Sequence, residues 1–177
     1  MLCFDTETTG LTLHPNADLT KQPRMIEFGG ALVDMKTGEI VEELVTLIDP
    51  EMEIEAVITK ITGLTNEDLK GSQKFIEVLP QLRHMFEQAA VVVAHNLPFD
   101  RAIMKCELMR ANVLDFPWPS RELCTVGAYK EFFGRNPKLT ELYEFVIGKP
   151  LEQTHRALDD VHAMIEIVQK ERLWEAA

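Results

Sequence analysis

Asp5 and Glu7 sit two residues apart, directly after the apolar run Leu2 to Phe4. On an extended strand that spacing points both carboxylates to one face, close enough to repel, and such a pair calls for a cation if it is buried. A bare D-x-E at a strand end equally suits two acids facing water. Here, however, an apolar strand precedes the pair, the turn Thr8, Thr9, Gly10 follows, and a stretch without periodicity comes next. A second group, His95, Asn96, Leu97, Pro98, Phe99 and Asp100, falls where a buried strand passes into a helix. An acid in a first helical turn also complements the helix dipole with no further role, and Asp100 fits that description. A third group, His155 to Asp160 in HRALDD, heads the last long helix. At ~100° per residue, Ala157, Leu158, Val161, Ile165 and Val168 define one apolar stripe. Asp160 borders that stripe and can face the interior, whereas Asp159, with His162 and Glu166, belongs to a solvated face. His155 lies before or at the first turn, free to approach a site or to cap the helix.

The elements that position these groups are legible from composition and period. Leu2 to Phe4 reads as a strand ending in a polar loop. Residues 11–24, with Pro15, Asn16, Asp18 and Pro23, read as a long mobile loop, and such loops in compact domains are usually functional. Met25 to Asp34 and Ile40 to Ile48 read as two more strands, joined by MKTGE with its turn glycine, so that three antiparallel strands open the fold. Helices follow at Glu55 to Ile61 and Asn66 to Leu69. A longer one is capped by Ser72, carries Phe75, Ile76, Leu79, Leu82 and Phe86 on one side, and is kinked or split by Pro80. Ala89 to Ala94 is a buried strand; Asn96 caps a helix reaching about Arg110. Two last helices cover Leu139 to Val146 and Ala157 to about Trp174. Strands, helices, strand and helices in this order predict an α/β fold, a mixed sheet with helices on both faces.

The chain has 177 residues, 46% hydrophobic and 27% charged, which fits one globular domain over 1–177 and excludes disordered or fibrous classes. Cys3, Cys106 and Cys124 are odd in number without C-x-x-C spacing, so buried free thiols are expected rather than disulfides or a zinc knuckle. No apolar run approaches the roughly 20 residues that span a bilayer, and early acids speak against a signal peptide, so no membrane partner and a cytoplasmic location are expected. The net charge of −11 ordinarily counts against nucleic acid. That inference weakens for enzymes that grip phosphates through metal ions and engage a short substrate at its end.

Taken together, Asp5 with Glu7 in FDTETTG, Asp100 in AHNLPFD, and Asp160 five residues after His155 in HRALDD resemble the three motifs of the DEDDh 3′→5′ exonucleases, the DnaQ-like proofreading family. Motif order and rough distances match, and the resemblance extends over MIEFGGALVD, KITGLTNEDL, CTVGAYK and LTELYEF. It implies a ribonuclease-H-like fold with about five strands, and a metal-dependent 3′→5′ exonuclease releasing nucleoside 5′-monophosphates from single-stranded nucleic acid, DNA in the first place and RNA as the alternative. It further implies that Asp5, Glu7, Asp100 and Asp160 gather around two divalent cations, Mg²⁺ or Mn²⁺, with His155 as general base. By the same carry-over the Thr6 backbone and Asn96 hold the terminal nucleotide, and Leu11 and Ile61 pack against bases. A polymerase or replication partner is compatible with the resemblance.

Departures accompany it. Some members have His before Gly where KITGL has Thr62; the 11–24 loop is longer than the minimum; and attachment of a polymerase through an extended tail after Trp174 is not expected. A haloacid-dehalogenase-like phosphatase also places acids after its first strand, but Glu7 stands where that loop has a second Asp, and that chemistry has no use for His155. A non-catalytic nucleic-acid-binding module finds no support, since all four carboxylates and the His are present.

Overall fold

The computed structural model describes residues 1–175; the last two residues of the 1–177 span lie outside the described residues. A five-stranded sheet in the order β3-β2-β1-β4-β5 organises the chain, with β1 at Leu2–Thr8, β2 at Met25–Val33, β3 at Ile40–Leu47, β4 at Val91–Ala94 and β5 at Arg121–Cys124. β1, β2 and β3 are antiparallel neighbours, whereas β4 and β5 join in parallel, which makes the sheet mixed. The helices are α1 Ala56–Thr62, α2 Asn66–Leu69, α3 Phe75–Gln88, α4 Leu97–Arg110, α5 Thr125–Phe133, α6 Leu139–Ile147 and α7 Ala157–Glu171.

Alternation along β1 assigns the two faces. Leu2 and Phe4 pack with residues of α3 and α4, including Leu82, Phe86 and Met104. Cys3 points the other way, to Val161, Met164, Ile165 and Val168 of α7. β2 is buried along its whole length, because it lies inside the sheet with helices over both faces. Polar Glu27 is buried with it. α6 packs on the outer side of α7 through Leu142 and Tyr143 against Ala163 and Ile167.

Several boundaries differ from the sequence reading for local reasons. β1 does not stop at Phe4; it pairs with β2 through Thr8, and the strand spacing read for Asp5 and Glu7 is present. α3 starts after Lys74, whose backbone N–H donates to Glu77 Oε2, and Ser72 instead donates to the Asp68 carbonyl. Pro80 neither splits α3 nor ends it: it sits in the second turn, where its missing N–H costs one helical bond. Val78 and Met85 join the buried side of that helix, and Ile76 is exposed. Asn96 does precede α4, but in a left-handed conformation and without a side-chain capping bond. α7 ends at Glu171, and Leu173–Glu175 form a separate 3-10 turn. β5 was not resolved as a strand in the sequence, being only four residues with charged Arg121 and Glu122 leading it.

The 11–24 loop is fastened rather than free. Asp18 caps a 3-10 turn at Leu19–Lys21, and the Arg110 guanidinium on α4 donates to the carbonyls of Leu19, Gln22 and Pro23. Glu107, buried beside Arg110, accepts from it and from the Met25 N–H where β2 begins. Of the cysteines only Cys3 is fully buried, and burial pushes its thiol up to about 12; Cys106 and Cys124 are partly exposed. No helix among the described residues is long and apolar enough to cross a membrane.

Candidate active site

The site forms where the parallel strands end. β4 pairs with β1 only beside Leu2 and Cys3, so β1 runs on past that neighbour and carries half-buried Asp5 and Glu7 to the cavity. There α4 and α7 converge from opposite faces of the sheet. Asp5, Thr6, Glu7, His95, Phe99, Asp100, Lys138, Leu139, Thr140, Gln153, His155 and Asp160 line one cavity of about 450 Å³. Ligand atoms of Asp5, Glu7 and Asp160 all lie within 4.8 Å of one another.

Asp100 and Asp160 are each held by a neighbour. Asp100, 1% exposed at the start of α4, accepts at Oδ1 from the Thr6 backbone N–H (3.1 Å) and from Thr6 Oγ1 (2.7 Å). Thr6 therefore spends its N–H on Asp100. Asp160 accepts from Gln153 Nε2 at 2.8 Å. α7 lacks a capping side chain of its own, and Glu27 supplies one from β2: its Oε2 accepts from the Ala157 N–H at 2.9 Å, and its carboxylate meets the Arg156 guanidinium. Gly29 lets the helix come this close. A Cβ there would lie 2.5 Å from the Leu158 nitrogen and 2.6 Å from the Ala157 carbonyl carbon.

Crowding shows in the protonation of the metal-free acids. Burial first, then the Asp100, Glu7 and Asp160 charges, pushes Asp5 well above the usual carboxylate range. Glu7 rises to about 8, through burial and then through Asp160 and Glu27. Asp100 rises to about 7 by burial, although its Thr6 bonds pull the other way, and burial also raises Asp160. Four acids that resist ionising together are stabilised by positive charge among them. The donors are all carboxylate oxygens without thiol or imidazole, a set suited to hard divalent cations such as Mg²⁺ or Mn²⁺.

His155 is exposed at the cavity rim, its φ of 52° in the left-handed region that few non-glycine residues adopt. His95 is different: its Nε2 faces the Pro137 carbonyl at 3.2 Å and Nδ1 lies 2.8 Å from Thr125 Oγ1. The carbonyl can only accept, so Nε2 carries the proton and Nδ1 receives the hydroxyl's. Burial holds its pKa below the ordinary value, consistent with a neutral ring that ties β4 to the loop before α6. Asp159 is exposed and accepts from Thr154, away from the acid cluster. Leu11 (82% exposed), Ile61 (49%) and Asn96 also lie at the surface, outside the residues that line the cavity. Glu27, Gln153, Lys138 and the His95 contacts were not assigned from the sequence; a Glu inside the apolar run MIEFGGALVD was the one available signal.

Fold and site define a nuclease of ribonuclease-H-like architecture. The profile of the exonuclease family RNase_T matches residues 2–168, and the chain belongs to that family. It is 33% identical over 166 residues to the PolC-type DNA polymerase III of Clostridium perfringens, covering 94% of this chain and 11% of the relative. It is 30% identical over 172 residues to the putative bifunctional exonuclease/endonuclease protein MT2247 of Mycobacterium tuberculosis, covering 93% of this chain and 25% of that one. The chain thus spans between 11% and 25% of the length of these curated relatives. Among solved structures, the nuclease domain of 3′hExo, a DEDDh family member bound to rAMP, superposes with a TM-score of 0.76 at 17% identity, covering 99% of this chain and 92% of that one. Exonuclease X in complex with 5′ overhanging duplex DNA gives 0.66 at 22%, covering 97% and 92%. At these identities the likeness is one of fold.

Proposed function

We propose that residues 1–177 act as a single 3′→5′ exonuclease domain that releases nucleoside 5′-monophosphates from the 3′ end of single-stranded DNA. The observation that carries this reading is the convergence of Asp5, Glu7 and Asp160 within 4.8 Å, with Asp100 and His155 lining the same cavity. Asp5, Glu7, Asp100 and Asp160 would hold two divalent cations, Mg²⁺ or Mn²⁺, and such a pair supplies charge stabilisation for the attacking and leaving oxygens of an in-line displacement. Thr6 and Gln153 fix the angles of Asp100 and Asp160, so little reorganisation is left for the reaction itself. His155 receives the proton of the attacking water as the new P–O bond forms. The bond from phosphorus to the 3′ oxygen breaks with its electron pair on that oxygen, which takes a proton from solvent water so that the strand keeps a 3′-hydroxyl, and the phosphate leaves on the mononucleotide.

The PolC-type DNA polymerase III relatives support DNA as the substrate and a polymerase or other replication protein as the partner. The proposed compartment is the cytoplasm. Matched 5′-labelled strands of DNA and RNA, with magnesium, test the reading. A ladder shortening one nucleotide at a time from the 3′ end of DNA is expected. Faster trimming of RNA would reassign the substrate, and equal cutting of a closed circular strand would show that no end is needed.

A further inference from the structure

The cavity that gathers four acids is also lined by Lys138, the one Lys or Arg among its described lining residues. The chain holds this residue in place from both sides. On one side the Pro137 carbonyl faces His95 Nε2 at 3.2 Å; on the other, the Lys138 N–H donates to Glu141 Oε2 at 2.8 Å. Glu141 is itself gripped by two bonds from Arg135, at 2.8 and 2.6 Å, so the nearest acid in sequence already has a cation. Among the described residues the Lys138 ammonium enters no ion pair. A fixed backbone thus seats an exposed lysine, with no ion pair among the described residues, on the wall of the acidic cavity of a strongly acidic protein.

With cations among the acids, the group still needing positive charge is the anion the cavity takes in, and a long, exposed lysine on the cavity wall is free to reach it. We propose that Lys138 binds the phosphoryl group that is cleaved and that departs on the mononucleotide. This rests on the exonuclease reading above, and it adds a substrate contact supplied by neither strand nor α7 but by the loop ahead of α6. A lysine acts here as a compact, rotatable point charge and follows the phosphate as the bond breaks.

The test measures equilibrium binding of deoxyadenosine 5′-monophosphate and of deoxyadenosine to the magnesium-loaded protein by calorimetry, alongside turnover of a DNA strand. Lys138→Ala should weaken monophosphate binding and lower kcat/KM by about 10- to 100-fold each, the range for a charged hydrogen bond. Nucleoside binding and melting temperature should stay unchanged, and Lys138→Arg should restore most of the loss. Equal monophosphate affinity in wild type and Lys138→Ala would overturn the proposal. So would a parallel loss of nucleoside binding, which would mark a structural role. A wild type that binds monophosphate through Lys138 yet shortens no strand would remove the exonuclease reading and leave the lysine contact standing.

Discussion

Arg156 and Glu27, separated by 129 residues, meet where α7 crosses β2: the guanidinium Nε lies 3.0 Å from a carboxylate that is fully buried and that also caps the helix. Arg156 adjoins His155, and Asp160 follows one turn later, so this pair sets where both approach the cavity. Removing one partner is costlier than altering the other gently. Arg156→Met leaves a buried carboxylate unpaired and should cost about 3–5 kcal/mol, whereas Glu27→Gln keeps an acceptor for Ala157 and should cost about 1–2. Urea unfolding of both single variants and the double variant should reveal coupling of about 0.5–3 kcal/mol. Additive losses would mean that the pair does not act as a unit.

Gly29 sets the closeness of α7 to the sheet. Because an added Cβ would meet backbone rather than a flexible side chain, Gly29→Ala should push the helix outward, cost about 1–3 kcal/mol and lower kcat with it. Gly10→Ala, where nothing lies within 4 Å, is the matched control. Equal behaviour of the two variants in melting and turnover would refute this account of the helix contact.

The neighbouring acids at 159 and 160 should separate cleanly. Asp160 is buried in the cavity wall, and Asp159 bonds Thr154 at the surface. Asp160→Ala should therefore cost more than a hundredfold in turnover, about 2.7 kcal/mol, and Asp159→Ala less than about tenfold. The reverse order would put the acid cluster one residue out of phase.

This last contrast was legible in the sequence, because a helix repeats its faces and the stripe from Ala157 to Val168 fixed which acid turned inward. The strand spacing of Asp5 and Glu7 was readable for the same reason. Glu27 was not: its partners lie 129 and 130 residues away, and no local period announces a strand acid that caps a distant helix. Lys138, Gln153 and His95 escaped likewise, since each acquires its surroundings only when loops meet. Edge strand β5 is too short and too charged to show a pattern, and the 11–24 loop owes its order to Arg110, far along the chain.

Stability without metal should fall as pH rises. Glu7, raised from 4.5 to about 8, and Asp100, raised from 3.8 to about 7, keep protons in the folded protein that the unfolded chain has already lost. Between those limits the unfolded state binds fewer protons, so the slope of unfolding free energy with pH is negative. Below about pH 4.5 the opposite sign sets in, because Asp34, Asp68 and Glu141 are held below their ordinary values and lose their contribution on protonation. With a chelator, the melting temperature should peak near ~pH 5 and decline towards ~pH 8, and millimolar magnesium should remove the decline. A flat or rising profile in chelator would contradict the crowding of these acids.

The most direct test of the site is Asp5→Asn, compared with wild type in melting temperature and strand turnover across a magnesium titration. Replacing one buried acid by a neutral amide relieves repulsion, so the metal-free variant should melt no lower than wild type. Magnesium should raise the wild-type melting temperature and not the variant's, and turnover should fall by at least about a thousandfold, some 4 kcal/mol. A variant that still releases nucleotides within about tenfold of wild type, with an equal magnesium response, would contradict the assignment of the acid cluster as the catalytic metal site.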